Sequence, residues 1–228
     1  MKLGNCVVDG EFLERPNRYL AKVRVDGRLT EAHVPDPGRL PGLMIPGRRA
    51  RLIFNPGRKR RTQYTLALIR HGRIWVSVYP VFANKLIRAG LEDGGVDCFG
   101  GFRSFRSEVK KGNSRFDFQI EFARQTGFIE VKSVSLVENG VGKFPDAPTA
   151  RGRRHLKELI ELKKEGVRTG VIFVSQRSDT QFITSHDTID PDFGILLRKA
   201  VEAGVELYWY SCQVTALSVT LNRSIDVI

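Results

Sequence analysis

The sequence is poor in cysteine and has no long apolar run. Its three cysteines, Cys6, Cys98 and Cys212, lie far apart and form no C-x-x-C pair, which argues against a disulfide framework and a thiolate zinc site. The four histidines have no metal-ligand spacing. No stretch approaches the ~20 apolar residues that a membrane-spanning helix needs, and the N-terminus lacks the apolar segment of a signal peptide. The sequence therefore predicts a cytoplasmic protein without membrane contact.

Acidic residues are also too few to balance the basic ones. The 228-residue chain has 37 Lys and Arg against 25 Asp and Glu, a formal net charge of +12. With no amphipathic membrane anchor visible, this excess favours nucleic acid as the polyanionic partner. The alternative is a protein that is merely basic and soluble. The sequence makes no prediction of oligomeric state.

Residues 1–80 are expected to form an OB-like β-barrel. Alternating apolar residues indicate five short strands, and Asp26-Gly27 is a strong hairpin-turn signal. A loop rich in Pro and Gly, 34–47, interrupts the strands. Five strands of this kind suit a small barrel such as an OB-fold, although short sandwiches share the pattern.

Residues 81–228 are expected to form an α/β domain. Residues 81–90 suggest a connecting helix that ends at Gly90, and a longer helix is expected over 149–165, with Asp146 or Thr149 as its N-cap. The apolar run 170–176 is typical of a strand that is buried on both faces. The remaining expected elements are a helix that begins at Asp190-Pro191 and strands near 104–110, 115–122, 127–137 and 206–214. Strands and helices in this order predict at least one strand–helix–strand crossover.

The pattern E-x-K occurs three times, and only its context separates the copies. Glu161-Leu162-Lys163 lies in the predicted long helix, where side chains two positions apart point about 200° apart. Glu108-Val109-Lys110 leads into a turn. Glu130-Val131-Lys132 lies in an apolar strand, where alternate side chains share a face, so Glu130 and Lys132 are expected to project together. Two charges on such a strand require a partner or a function.

An acid on the preceding strand, Asp117, supplies a partner. A short connection would let the two strands pair and bring Asp117 beside Glu130. Two carboxylates held close together repel each other unless a cation lies between them, and hard oxygen ligands suit Mg²⁺ or Mn²⁺. Lys132 could orient a water and stabilise charge on a phosphate. An Asp followed by Glu-x-Lys on the next strand is the arrangement of the PD-(D/E)xK phosphodiesterases, and the structural alternative is a buried ion pair between Lys132 and Asp117.

The predicted catalytic residues are therefore Asp117, Glu130, Lys132 and, as a further acid one strand earlier, Glu108. The three acids among these residues, Asp117, Glu130 and Glu108, are the predicted ligands of the Mg²⁺ or Mn²⁺ ion.

Longer stretches resemble the sugar fermentation stimulation protein A (SfsA) family over nearly the whole chain. They are RPNRYLAKV (15–23), HVPDPGRL (33–40), GNSRFDF (112–118), IEVKSVSLVENGVGKFPDAPTARGRRHLKEL (129–159) and IDPDFGILLRKAVEAGV (189–205). The resemblance implies an N-terminal OB-like barrel, a C-terminal PD-(D/E)xK nuclease-like domain and DNA, rather than RNA, as the partner. It places the family's acidic and lysine positions on the four catalytic candidates. Asp36-Pro37 departs from the Asn-Thr that family members tend to carry, which affects any polar contact of that loop.

Basic residues are concentrated in two places. Residues 47–64 contain seven Arg or Lys and no acid. The start of the long helix adds a second cluster, where free N–H groups and the helix dipole favour phosphate. His155, one turn after Arg151, could face the site, although a lone histidine is more often structural. The predicted nucleic-acid-binding residues are Arg15, Arg18, Arg39, Arg49, Arg51, Arg58, Lys59, Arg60, Arg61, Arg151, Arg153 and Arg154.

The sequence thus predicts a DNA-binding protein that acts as a metal-dependent nuclease. Contacts to phosphates carry no base information, so little sequence specificity is expected. The alternative is a non-catalytic DNA-binding protein, a regulator of sugar metabolism genes, on the same scaffold. A sugar-binding site would need aromatic platforms with converging polar groups, and the sequence contains no such pattern.

Overall fold

The computed structural model describes residues 1–57 and 60–225. Within these ranges the chain forms fifteen strands and three helices. The elements up to the first helix are β1 (Val7–Asn17), β2 (Leu20–Val25), β3 (Arg28–His33), β4 (Arg49–Phe54), β5 (Tyr64–His71), β6 (Ile74–Ser77) and α1 (Val81–Asp93). The elements that follow are β7 (Ser104–Lys111), β8 (Ser114–Glu121), β9 (Thr126–Val134), β10 (Leu136–Glu138), β11 (Val141–Phe144), α2 (Ala150–Lys164), β12 (Arg168–Ser175), β13 (Phe182–Ser185), α3 (Pro191–Glu202), β14 (Glu206–Val214) and β15 (Val219–Ile225).

The first six strands form a closed barrel. Their order is β3-β2-β1-β4-β5-β6, and a parallel pairing of β3 with β5 closes the sheet on itself. Asp26 and Gly27 both have positive φ, as the predicted tight turn between β2 and β3 requires. The barrel encloses its own apolar core, which includes Phe12, Val23, Leu52 and Leu66. The expectation of an OB-like barrel is confirmed.

One barrel strand, β1, was not predicted from the sequence. Only Phe12 of its eleven residues is fully buried, and two register irregularities interrupt its pairing with β2. A strand with such irregularities lacks the strict alternation by which the other strands are recognised. The described part of this region therefore has six strands rather than five.

The second half of the chain is built on a six-stranded mixed sheet of order β15-β14-β12-β9-β8-β7. Strands β9, β12 and β14 are parallel and are connected through α2 and α3, which confirms the predicted crossover. Strand β12 is buried from Thr169 to Ser175, as its continuous apolar run indicated. Helices α2 and α3 pack against one face of the sheet, and α1 packs against the other.

The boundaries of α1 differ from the prediction. The helix continues past Gly90 to Asp93 and ends at Gly94, whose φ of 79° is left-handed. Gly90 lies inside the helix, at a position where the chain returns too closely for a side chain: a Cβ on Gly90 would lie 2.4 Å from Cγ2 of Val96. A small sheet of order β10-β11-β13 was also absent from the prediction.

The barrel and the large sheet share an apolar core. Ile53, Leu68 and Trp75 of the barrel belong to the same buried cluster as Ile129 and Ile172 of the sheet, with α1 between them. Hydrogen bonds also join the regions. For example, the Ser77 amide donates to the carbonyl of Gln176 (3.1 Å), and the Leu3 amide donates to that of Leu217 (3.0 Å). The relative position of the two regions is therefore fixed by packing. No helix in the described part of the chain is long and apolar enough to cross a membrane.

Candidate functional site

A cleft of about 740 Å³ lies where the barrel meets the large sheet. Arg18 and residues 36–38 of the barrel form part of its wall, and α1 and the strands β8 and β9 form another part. The segment 143–149 and Arg151 at the start of α2 complete it. All four predicted catalytic residues, Asp117, Glu130, Lys132 and Glu108, line this one cleft.

The pairing of β8 with β9 brings the two central acids together. The last paired residues are Phe118 and Ile129, so Asp117 and Glu130 occupy the next positions on their strands. Lys132 lies two residues further along β9 on the same side as Glu130, and its Nζ is 2.5 Å from Oε1 of Glu130. The ion-pair partner of Lys132 is therefore Glu130 and not Asp117.

Both carboxylate oxygens of Asp117 accept a hydrogen bond. Nδ2 of Asn84, on α1, donates to Oδ1 (2.5 Å), and the amide of Val131 donates to Oδ2 (2.7 Å). Burial, together with the nearby negative charge of Glu130, raises the pKa of Asp117 to about 6. The carboxylate is thus held in a fixed orientation, in surroundings that disfavour its negative charge.

Glu130 is more deeply buried, with only 2% of its surface exposed. Its Oε1 lies 2.5 Å from Nζ of Lys132 and 2.5 Å from Nδ1 of His155, a buried residue of α2. Burial opposes ionisation, but these two donors hold the pKa of Glu130 below its usual value. Oε2 is also buried, and it has no hydrogen-bond partner among the described residues. The carboxylate therefore carries a charge and presents one unsatisfied oxygen.

Glu108, the fourth catalytic candidate, lines the cleft, but its carboxylate does not join the other two. Its side chain is 72% exposed and forms an ion pair with Arg115 at 3.4 Å. In the register of β7 and β8, Glu108 lies opposite Asp117, between the pairs Ser107–Phe118 and Val109–Phe116. Its φ of 55° is left-handed, a departure from the extended backbone of the strand. The role of Glu108 as a further catalytic acid stays a prediction.

The donor set partly fits a divalent cation. Two carboxylates at the bottom of a cleft, one with a buried and unsatisfied oxygen, are suited to a hard ion such as Mg²⁺, Mn²⁺ or Ca²⁺. However, within residues 1–57 and 60–225 no group of three or more His, Cys, Asp or Glu side chains could hold a metal ion. Of the three predicted ligands, the described residues bring only Asp117 and Glu130 side by side, and Glu108 is not grouped with them.

The basic residues predicted on the barrel have different surroundings. Arg18 lines the cleft, and Arg39, Arg60 and Arg61 are exposed. Arg49 and Arg51 both form ion pairs with Asp9 and lie over the ring of Trp75. Arg51 is 17% exposed, so little of it is available to a ligand. Arg58 and Lys59 lie outside the described residues.

Arg15 has a structural contact that the sequence did not reveal. Its guanidinium donates to the carbonyls of Arg18, Asp36 and Gly38, each at 2.7 Å, and so holds the loop of the barrel that lines the cleft. The same loop is fixed from the other side by a hydrogen bond from the Leu40 amide to Oδ2 of Asp146 (3.2 Å). Arg15 thus supports the cleft wall instead of offering free donors to a phosphate.

The three arginines predicted to bind nucleic acid at the start of α2 also have different surroundings. Thr149 is the N-cap, and its side chain accepts from the amide of Gly152 at 3.0 Å. Arg153 donates to both oxygens of Asp190 (2.6 and 2.7 Å), so this arginine, predicted to bind nucleic acid, is already paired with an acid of the protein. Arg151 lines the cleft, and Arg154 is exposed.

Other residues of the cleft were not predicted. Helix α1 contributes Asn84, Lys85 and Arg88, and β11 contributes Lys143. The signal for the first three is their helical spacing, because the positions 84, 85 and 88 share the polar side of a helix whose buried residues include Phe82, Leu86 and Ile87. No local pattern indicates Lys143, which the small sheet brings to the cleft.

The structure defines a class of protein before any relative is considered: an OB barrel joined to a mixed α/β domain, with acidic and lysine side chains in the cleft between them. Two family models match the chain, "SfsA N-terminal OB domain" over residues 13–78 and "Sugar fermentation stimulation protein RE domain" over residues 81–218. The chain belongs to the SfsA family.

Individual relatives agree with this assignment. The chain is similar to a sugar fermentation stimulation protein homolog of Caldanaerobacter subterraneus subsp. tengcongensis, at 40% identity over the full length of both chains. A homolog of Acetivibrio thermocellus is 41% identical over 95% of this chain and 93% of its own. The fold is similar to that of a solved structure of Pyrococcus furiosus SfsA in complex with Ca²⁺, with a TM-score of 0.90 at 29% identity, covering 100% of this chain and 99% of the other.

Proposed function

We propose that this protein binds DNA in the cleft and hydrolyses its phosphodiester bonds with the help of a divalent cation. The observation that carries the proposal is the convergence of Asp117, Glu130 and Lys132 at one point of the cleft. Two carboxylates and a lysine are the groups that metal-assisted phosphodiester hydrolysis needs, and here they lie on two adjacent strands of a rigid sheet.

The charges around this point suit a polyanion. Basic side chains from one turn and three elements line the cleft: Arg18, Lys85, Arg88, Lys143 and Arg151. Together with the net charge of +12, they would bind the phosphates on either side of the scissile bond without reading its bases. The two structural regions, which we assign to residues 1–80 and 81–228, would both contact the strand.

Asp117 and Glu130 would hold the cation. When bound, a divalent cation supplies charge neutralisation for the attacked phosphate and lowers the pKa of water. The P. furiosus protein was solved with Ca²⁺, which supports a divalent ion in this family. The choice of Mg²⁺ or Mn²⁺ for this chain rests on the hard oxygen donors.

Lys132 would act on the reacting atoms directly. Its ammonium group lies beside Glu130 at the wall of the cleft and has further protons to donate. We assign it two roles: it orients the attacking water, and it stabilises the negative charge that develops on the phosphate. Asn84 and the Val131 amide keep Asp117 oriented while this occurs.

The competing function is DNA binding without hydrolysis. One observation favours it: the described residues supply two acidic ligands at this point and no cluster of three. A protein that only binds DNA would keep the basic cleft without needing a complete metal site.

A nuclease assay separates the two functions. Purified protein is incubated with single-stranded DNA, duplex DNA, branched DNA and RNA in Mg²⁺, in Mn²⁺ and in EDTA. Cleavage of DNA that requires the cation supports the proposal. Salt-sensitive binding of the same substrates without cleavage supports the competing function.

A further inference from the structure

The contacts of Glu130 are unevenly distributed between its two oxygens. Nζ of Lys132 and Nδ1 of His155 both lie 2.5 Å from Oε1, whereas Oε2 has no partner among the described residues, although it is buried. An ionised carboxylate that served only as the partner of an ion pair would be most stable with donors on both oxygens. A buried acceptor without a donor costs about 1–3 kcal/mol, so this distribution requires an explanation.

The position of His155 shows why its donor lies on Oε1 of Glu130. The residue lies on α2 beside Leu156 and is 1% exposed. Because Nδ1 is 2.5 Å from an ionised carboxylate oxygen, this nitrogen must carry a proton and donate it. Nζ of Lys132 is 3.5 Å from the same nitrogen, a much longer contact than the 2.5 Å between this nitrogen and Oε1 of Glu130.

The position of His155 is also fixed by contacts other than that with Glu130. The first turn of α2 is fixed by Asp190, which accepts from the Thr149 amide (2.7 Å) and from Arg153. The imidazole itself packs beside the ring of Phe116, with centroids 5.8 Å apart. His155 is not among the residues that line the cleft, so it can act on a substrate only through Glu130.

We propose that His155 is a positioning residue that binds Oε1 of Glu130 and thereby presents Oε2 to the divalent cation. The inference rests on the proposed function, since it concerns the same cation. It explains why the donors converge on one oxygen: the cation is the missing partner of the other. It also separates the tasks of the two donors, because His155 keeps Glu130 in place while Lys132 turns towards the phosphate.

The experiment measures Mn²⁺ binding by isothermal titration calorimetry, without any substrate. His155→Leu removes the donor, and we expect about 10–100-fold weaker binding, the usual effect of removing a residue that orients a metal ligand. His155→Asn places an amide N–H near the position of Nδ1 and should restore affinity close to that of the unaltered protein.

A matched control and a second pair of variants keep the outcome clear. Leu162→Ala removes buried volume from the same helix without touching Glu130, and its Mn²⁺ affinity should be unchanged. If His155→Leu does not fold, His155→Gln replaces it, because its longer side chain carries the amide past the Nδ1 position. Binding by His155→Gln should then be weaker than by His155→Asn.

The failure of this inference differs from the failure of the proposed function. Equal Mn²⁺ affinity for the unaltered protein and for His155→Leu, or for the Asn and Gln variants, would overturn the role of His155 and leave the cation site intact. An unaltered protein that binds no Mn²⁺ would overturn both.

Discussion

Nδ2 of Asn84 donates a 2.5 Å hydrogen bond to Oδ1 of Asp117 and so connects helix α1 to the acidic centre of the cleft. The helix follows the last barrel strand directly and packs in the core that the barrel shares with the large sheet. The residue that orients Asp117 therefore lies at the junction of the two regions. The geometry of the site depends on how the regions are packed together, as well as on the sheet itself.

Replacing Asn84 tests this relationship. In Asn84→Ala, Oδ1 of Asp117 loses its donor in a largely buried position, and we expect the free energy of unfolding to fall by about 1–3 kcal/mol. Urea denaturation at pH 7.5 measures the change. Lys85→Ala, at the next position of the same helix, is the control and should change stability by less than about 0.5 kcal/mol. Equal stability of Asn84→Ala and the unaltered protein would show that the bond has no energetic importance.

Asp36, in the cleft wall, should make the free energy of unfolding depend on pH. Burial, together with the negative charge of Asp146, raises the pKa of Asp36 to about 6, so the fold disfavours the ionised form of Asp36. The ionised form is present above pH 6, where Asp36→Asn should stabilise the protein by up to about 3 kcal/mol. The gain should shrink as the pH falls through 6 and nearly vanish at pH 4.

Thermal denaturation between pH 4 and pH 8 measures this effect. Asp26→Asn is the control, because Asp26 is exposed in a turn where Asn is equally well accommodated. A stability difference for Asp36→Asn that does not change with pH would contradict the assigned cause.

Two arginines of α2 should behave differently. Arg151 lines the cleft, so Arg151→Ala should weaken DNA binding and reduce the slope of log affinity against log salt by ~0.9, the contribution of one phosphate. Arg153 is bound to Asp190, and Arg153→Ala should instead lower the free energy of unfolding by about 1–3 kcal/mol. Fluorescence anisotropy over a salt series and urea denaturation distinguish the two effects. A loss of salt slope in Arg153→Ala would show that the arginine leaves Asp190 for the phosphate.

The parts of the site that were predictable from the sequence are those set by local periodicity. Alternation along a strand places Glu130 and Lys132 on one face, and a short connection pairs their strand with that of Asp117. The ion pair of Glu108 with Arg115 and the positive φ of Glu108 are not indicated by this alternation.

The remaining contacts depend on residues that are distant in the sequence. His155 reaches Glu130 from a helix 25 positions later, and Asn84 reaches Asp117 from a helix 33 positions earlier. Arg153 appeared free because its partner, Asp190, lies 37 positions away. Packing of helices on a sheet determines these contacts, and no short pattern records it.

The most direct test of the proposed function compares two lysines in identical tripeptides. Glu130-Val131-Lys132 and Glu108-Val109-Lys110 have the same sequence, but only Lys132 lies beside the buried acids. Cleavage and binding of DNA are measured in Mn²⁺ for the unaltered protein, Lys132→Ala and Lys110→Ala. We predict cation-dependent cleavage that is lost in Lys132→Ala, retained in Lys110→Ala, and accompanied by DNA binding in all three. DNA binding by all three proteins without cleavage by any of them would contradict the proposed hydrolysis.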